Sequence, residues 1–316
     1  MVNRAVGLVG DTTQVKNILD LGCGTGNISE LLCRAFPNSQ IEGLDSSVQM
    51  IGRALKDREK SEFKERLSYR VGSVENEATF KNKKHDLVFS NATLHWCTGH
   101  AQLLPDIINK MVRPNGGVLA IQVPDTRQQI SHVLMDTASF RSGMLDKIRH
   151  VRIPQIEHDA AWYYNLLSPL VKEIDMWTTE YVQQLPSPPP HMLSQAHNQS
   201  QYLYEGQGPG LESEQVPSQQ ITPLQQQQQQ QQRQVYHHPV LEYTKATGLL
   251  PIIEALGGEG TEQCQAYLDE YDRLLHEAYP ILKVSHQSPD NTDITASAEK
   301  HITLMPFKRM FILCKM

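Results

Sequence analysis

The stretch Ile18-Leu19-Asp20-Leu21-Gly22-Cys23-Gly24-Thr25-Gly26-Asn27 limits what this chain can fold into more than any other. An apolar run closing on Asp20 predicts a strand. Three glycines then alternate with small residues, and Ile28-Ser29-Glu30-Leu31-Leu32-Cys33 continues with apolar residues at helical spacing. Strand, glycine loop and helix in that order are the layout of a nucleotide-type ligand site in an open α/β sheet. Without a Cβ, the loop's backbone N–H groups can approach a ligand closely. A dinucleotide loop reads GxGxxG and leaves room for a pyrophosphate; here the third glycine comes one residue earlier. No GKS or GKT follows, which excludes a P-loop. Asp45 closes the next predicted strand, Gln40 to Asp45, where a Rossmann-type carboxylate accepts from both ribose hydroxyls.

The alternation continues. Ser47 to Leu55 predicts a helix with Ser46 or Ser47 as N-cap. Leu67 to Val71 is a third strand, and His85 to Ser90 a fourth, ending at Asn91. Leu103 to Val112 is amphipathic and stops at Pro114-Asn115-Gly116-Gly117, before a buried strand from Val118 to Val123. This order predicts an α/β fold with a mostly parallel sheet and helices on both faces. Pro124 to about Leu170 reads as mostly helical and includes Trp162-Tyr163-Tyr164. Lys172 to Gln183 has strand character. Val240 to Ala246 predicts a helix stopped at Gly248, Thr261 to Tyr279 a longer one capped by Thr261, His286 to Glu299 a loop, and Thr303 to Leu313 a last strand. Two late strands would complete a seven-stranded sheet with one antiparallel partner. Between them the composition turns to Gln, Pro and Ser, with a pure glutamine tract from Gln225 to Gln232. Such a segment cannot bury enough apolar surface to offset its ordering entropy. The expected organisation is a first part over 1–185, a disordered insertion over 186–237 that leaves room for weak protein contacts, and 238–316 completing the same domain.

The formal charge of −6 comes with no basic stripe, which argues against nucleic acid as a partner. No apolar run reaches membrane-spanning length, and the opening residues are too short and weakly apolar for a signal peptide. Five cysteines, an odd number without a CxxC pair, suggest a reduced, cytoplasmic protein with buried thiols. Cys23, inside the glycine loop, reads as a small packing residue rather than a nucleophile.

Asp20-x-Gly22-x-Gly24-x-Gly26, with Asp45, the strand end at Asn91 and Gly116-Gly117, resembles the signature of class I S-adenosylmethionine-dependent methyltransferases. The resemblance implies that fold, Rossmann-like with a helical substrate lid, and S-adenosylmethionine as cofactor. Asp20, Gly22, Cys23, Gly24 and Gly26 would line its methionine half, and Asp45 would hold the ribose. Ser46 and Met50 would lie near the adenine, with Ser73 and Val74 at its other edge; many relatives carry an acidic residue where Ser73 stands. Asn91 and Ala92 would sit under the sulfonium.

A narrower resemblance runs through Asn91-Ala92-Thr93-Leu94-His95-Trp96, Gln122-Val123-Pro124-Asp125, Ser131-His132 and Tyr163-Tyr164-Asn165-Leu166-Leu167. It continues through Trp177-Thr178-Thr179-Glu180-Tyr181, Ala246-Thr247-Gly248-Leu249-Leu250-Pro251 and Pro306-Phe307-Lys308-Arg309-Met310-Phe311. In this order they look like the trans-aconitate 2-methyltransferases, which lack the glutamine insertion. The resemblance implies methylation of a carboxylate of trans-aconitate, a small polycarboxylate, with His95, Trp96, His132, Tyr163, Tyr164, Trp177 and Arg309 around it. A carboxylate is already anionic at neutral pH, so no general base and no metal is expected, and the residues act by positioning alone. Leu250 replaces an arginine common in that family, and His95 a glutamine, which leaves another small acid or metabolite as an alternative acceptor. Only Arg4-Ala5-Val6 corresponds to the end of the relatives' N-terminal helical segment, so an incomplete lid, or a non-catalytic interaction protein, is the further alternative.

Overall fold

The computed structural model describes residues 1–76, 83–151, 153–188, 236–284 and 300–316. The glutamine tract and the polar stretch His286 to Glu299 lie outside the described residues. By internal contacts the chain divides into two compact units. The first holds Met1–Gln129, Pro154–Tyr181 and Phe307–Met316, and the second Ile130–Ile153 and Val182–Pro306.

The strands are β1 (Asn17–Leu21), β2 (Gln40–Asp45), β3 (Leu67–Val71), β4 (Leu87–Asn91), β5 (Val118–Pro124), β6 (Glu173–Ser187), β7 (Ile281–Val284) and β8 (Lys300–Lys315). The sheet order is β3-β2-β1-β4-β5-β8-β6. Strands β1 to β5 pair in parallel, and β8 runs antiparallel to β5, Pro124 opposite Arg309 and Val118 opposite Lys315. This is the architecture of a class I methyltransferase fold. Its chain reverses lateral direction between β1 and β4, the crevice where open α/β sheets bind ligands.

Helices of the first unit are α1 (Val2–Val9), α2 (Asn27–Ala35), α3 (Val48–Arg58) and α4 (His100–Met111). The second unit carries α5 (Ile130–Arg141) and α6 (Leu145–Ile148); α7 (Ala160–Leu167) returns to the first. Among the described residues three more follow in the second: α8 (Pro239–Lys245), α9 (Leu250–Ala255) and α10 (Glu262–Ala278). Period-two alternation of the strands sorts the core of the first unit. Leu19, Leu21, Val88, Leu119 and Ile121 pack with α4 and α7. Ile18, Ile41, Leu87, Phe89, Val118 and Ala120 pack with α1 and α2 on the other face. Both faces are covered, which is why β1, β4 and β5 read as continuous apolar runs.

In the second unit α5 and α10 are joined by tyrosine hydroxyls bonded to backbone. Tyr267 donates to Met135 O (3.2 Å), Tyr271 donates to Ser131 O (3.1 Å), and Tyr279 Oη accepts from Ser131 N–H (3.1 Å).

Three elements differ from expectation. Among the described residues the sheet has eight strands rather than seven, because the four-residue β7 pairs with the first residues of β8. Four residues are too few for alternation to be visible. Helix α4 begins at His100 rather than Leu103, because the Glu157 carboxylate accepts from the N–H groups of Gly99 and His100, both at 2.9 Å. A cap supplied from so far along the chain leaves no local trace. Gly248 does not stop α8 in a left-handed turn; a Cβ there would lie 3.0 Å from His132 Nε2, a close approach between side chain and backbone.

Candidate active site

The loop between β1 and α2 carries three left-handed glycines, Gly22, Gly24 and Gly26, at φ of 70°, 54° and 86°. The N–H groups of Gly22 and Cys23 both donate to Leu44 O, at 2.7 and 3.0 Å, which pins the loop to β2. A Cβ on Gly22 would fall 2.0 Å from Thr93 Oγ1, so that glycine admits the chain leaving β4. A Cβ on Gly24 would meet nothing within 4 Å. Gly24 therefore faces open space, and its bare backbone is available to an incoming group.

Asp45 closes β2 beside that space. Its Oδ2 accepts from Gly24 N–H (2.9 Å) and its Oδ1 from Ser47 N–H (2.8 Å). Each carboxylate oxygen keeps a further lone pair for a ligand hydroxyl. Ser47 caps α3 by accepting from Met50 N–H, which leaves Ser46 and Met50 exposed at the first turn. Gly72 N–H donates to Asp45 O (2.9 Å) and draws the exit of β3 toward the same place. There Val74 is buried, and Ser73 Oγ accepts from Glu75 N–H (3.2 Å). Glu75 accepts from Thr98 N–H (3.0 Å).

Asp20 lies beneath the loop and is only 1% exposed. Ser29 of α2 donates to its Oδ2 at 2.7 Å. Burial pushes the Asp20 carboxyl up to about 6; the Ser29 bond opposes the shift and the nearby Asp45 charge adds to it. Burial, with Asp20 and Asp45, also drives the Cys23 thiol well above its ordinary range, so it stays protonated and unreactive. Tyr69 of β3 closes the floor: its ring would clash with a Cβ on Gly26 or Gly43, and burial raises its hydroxyl to about 12.

At the end of β4, Ala92 takes a left-handed φ of 54°, held by its N–H donating to Gln122 O at 2.9 Å. A non-glycine residue there costs on the order of 1–3 kcal/mol, a strain typical of functional turns. Thr93 Oγ1 donates toward Asn91 O (3.2 Å) and Gly22 O (3.3 Å), locking this turn against the glycine loop.

Thus the residues expected around the cofactor collect at the carboxyl ends of β1, β2, β3 and β4. Those expected around the acceptor lie on several elements. Tyr163 is 2% exposed in the core on the α4 and α7 face, with its hydroxyl 2.6 Å from His100 Nδ1. Trp177 packs on the opposite face, its ring stacked on Phe311 (4.7 Å) and covered by the Arg4 guanidinium (4.0 Å). Tyr163 and Trp177 therefore do not line a common pocket. His95 is buried in the turn Leu94–Trp96, whereas Trp96 and Tyr164 are about half exposed. His132 belongs to the second unit, beside Ser131 Oγ (3.2 Å), and burial pushes its imidazole down to about 4. Leu250 opens α9 in that unit and is exposed. Arg309 of β8 donates to Gln122 Oε1 at 3.2 Å, with the Tyr181 and Phe307 rings 5.7 and 5.4 Å from its guanidinium.

Ser29, Tyr69, Thr93 and Gln122 carry this geometry without being named as site residues in the sequence reading, although Thr93 and Gln122 stand in stretches that carry the narrower resemblance. Tyr69 and Gln122 sit on predicted strands, where alternation marks the side a residue faces but not what it meets.

The model of a protein family described as "Methyltransferase domain" matches residues 13–201. Over 283 residues the chain is 27% identical to the trans-aconitate 2-methyltransferase of Variovorax paradoxus (strain S110), covering 85% of this chain and 80% of that protein. It is 37% identical over 175 residues to the trans-aconitate 2-methyltransferase of Acidovorax sp. (strain JS42), covering 54% of this chain and 63% of that one. Against the enzyme of the same name from Escherichia coli (strain SE11) it is 27% identical over 305 residues, with 95% and 86% covered.

Proposed function

The chain belongs to the methyltransferase-domain family, and from that membership we propose that it transfers the methyl group of S-adenosylmethionine to a carboxylate oxygen of trans-aconitate, the substrate named for its relatives. The products are the monomethyl ester and S-adenosylhomocysteine. The observation that carries the cofactor half is the open space over Gly24 beside the Asp45 carboxylate.

When bound, S-adenosylmethionine supplies an electrophilic methyl on a sulfonium sulfur. Asp45 would accept from the ribose hydroxyls, while the loop of Gly22, Cys23, Gly24 and Gly26 would line the methionine half. Asp20 acts from below through its field, since a buried carboxylate attracts the cationic end of the ligand. Ser46, Met50, Ser73 and Val74 would flank the adenine, and the Asn91–Ala92 turn would lie toward the methyl. Arg309 is the cation for the acceptor: among the described residues no carboxylate pairs with it, and a guanidinium matches a carboxylate in a bidentate fork. The attacking oxygen already bears its charge, so the residues have only to align it with the methyl and exclude water.

Calorimetric titration with S-adenosylmethionine tests the cofactor half. Asp45→Asn removes a charged acceptor and should weaken binding roughly 10- to 100-fold, the equivalent of about 1.5–3 kcal/mol. Mass spectrometry of trans-aconitate incubated with wild type should then show one added methyl. Unchanged affinity in Asp45→Asn, or no ester from the wild-type protein, would refute the assignment.

A further inference from the structure

We propose that Gln122 is a positioning residue for the acceptor acid: it aims the Arg309 guanidinium and, being neutral, leaves that cation's charge for a substrate carboxylate. The inference rests on the reading of Arg309 above and deepens it.

Gln122 sits on β5 opposite Asn91 of β4 and Phe311 of β8, and is 1% exposed. It touches both halves of the site. Its backbone O accepts from Ala92 N–H and fixes the left-handed turn, while its side-chain Oε1 accepts from Arg309 Nη1 at 3.2 Å. Chemistry fixes the orientation of the amide, since its NH₂ end would meet a guanidinium that carries only donors. That NH₂ is instead buried without an acceptor among the described residues. A stranded buried donor is a cost that an apolar residue of the same volume would not carry. What the amide provides in return is a neutral acceptor at the cation. A carboxylate in the same place would hold Arg309 equally well but cancel its charge; an apolar side chain would leave it unaimed. The Tyr181 and Phe307 rings flank the guanidinium and do not neutralise it.

The test compares Gln122→Glu, Gln122→Met and Arg309→Ala, each measured for KM and kcat with trans-aconitate, Kd for S-adenosylmethionine and Tm. Gln122→Glu keeps the acceptor and the volume and adds one charge. It should raise KM for trans-aconitate at least about tenfold, as expected when a ligand-binding cation gains an internal partner. Its cofactor Kd should stay within about twofold of wild type, and the penalty should shrink for an acceptor with one carboxylate fewer. Gln122→Met removes the acceptor and the stranded donor, so KM should rise about threefold or more without loss of Tm. If Gln122→Glu fails to fold, the Gln122→Met result decides alone. Unchanged KM in a folded Gln122 variant while Arg309→Ala raises it would overturn the role of Gln122 and leave the reading of Arg309 standing. Unchanged KM in Arg309→Ala would overturn that reading itself. Equal losses of KM, kcat and Tm in both Gln122 variants would reduce Gln122 to a packing residue and also end the proposal.

Discussion

Asp20 couples the stability of the fold to the ligand binding proposed for it. Its folded-state carboxyl is raised to about 6 from an ordinary 3.8, chiefly by burial. Its proton thus contributes stability that is complete below 3.8 and gone once pH has risen past about 6. At neutral pH Asp20 is ionised at the expense of the fold, and its charge faces the region proposed for a cationic ligand. Because the ligand prefers the ionised form, affinity for S-adenosylmethionine should fall roughly tenfold between pH 7 and pH 5. Asp20→Asn should flatten that dependence, as read by calorimetry across the range. An equally steep profile in Asp20→Asn would assign the titration to another group. The aspartate and the glycine spacing were visible in the sequence. That Gly22 yields to Thr93 while Gly24 faces open space was not, because both are the same residue in the same repeat.

Among the elements, α4 illustrates control from a distance. Burial disfavours the Glu157 charge, but the N–H groups of His100 and Gly99 outweigh it and hold the carboxyl below its ordinary range. The anion also faces the positive end of the helix dipole. Glu157→Gln should cost about 1 kcal/mol, lowering Tm by roughly 2–4 °C at pH 7 in scanning calorimetry. Since the folded pKa is depressed, this stability is present above 4.5 and lost as pH falls below it, so the two proteins should converge in acid. A constant Tm gap down to pH 3 would show that packing, not charge, is responsible. The same helix also engages Tyr163. His100 Nε2 lies 2.9 Å from Leu94 O and its Nδ1 2.6 Å from the tyrosine hydroxyl, so the ring is committed to the core. Family order alone made Tyr163 and Trp177 neighbours in function; the sheet puts them on opposite faces.

For the whole molecule, the glutamine-rich stretch interrupts a chain whose described parts carry the fold on either side of it. Replacing residues 189–235 with a short Gly/Ser linker should leave cofactor Kd and turnover within about twofold of wild type, since loop length adds closure entropy only logarithmically. Calorimetry and a methyl-transfer assay check this. Loss of cofactor binding in the deletion would mean that the segment supports the site.

Strand β2 was predicted to the residue, as was β3, and β1 and β5 to within one or two, because buried alternation and glycine punctuation are local signals. The Asp20-to-Gly26 loop and Asp45 were legible for the same reason: one turn and one strand end carry their chemistry. The pairs that make a site of them join residues far apart in the chain, Thr93 with Gly22, Tyr69 with Gly26, Gln122 with Arg309 and Glu157 with His100. Each pair depends on strand register and on which sheet face a side chain takes, and a shift of one residue would exchange the faces. Local pattern was therefore enough for the elements and the glycine loop, while the choice of partners far along the chain came from packing those elements together.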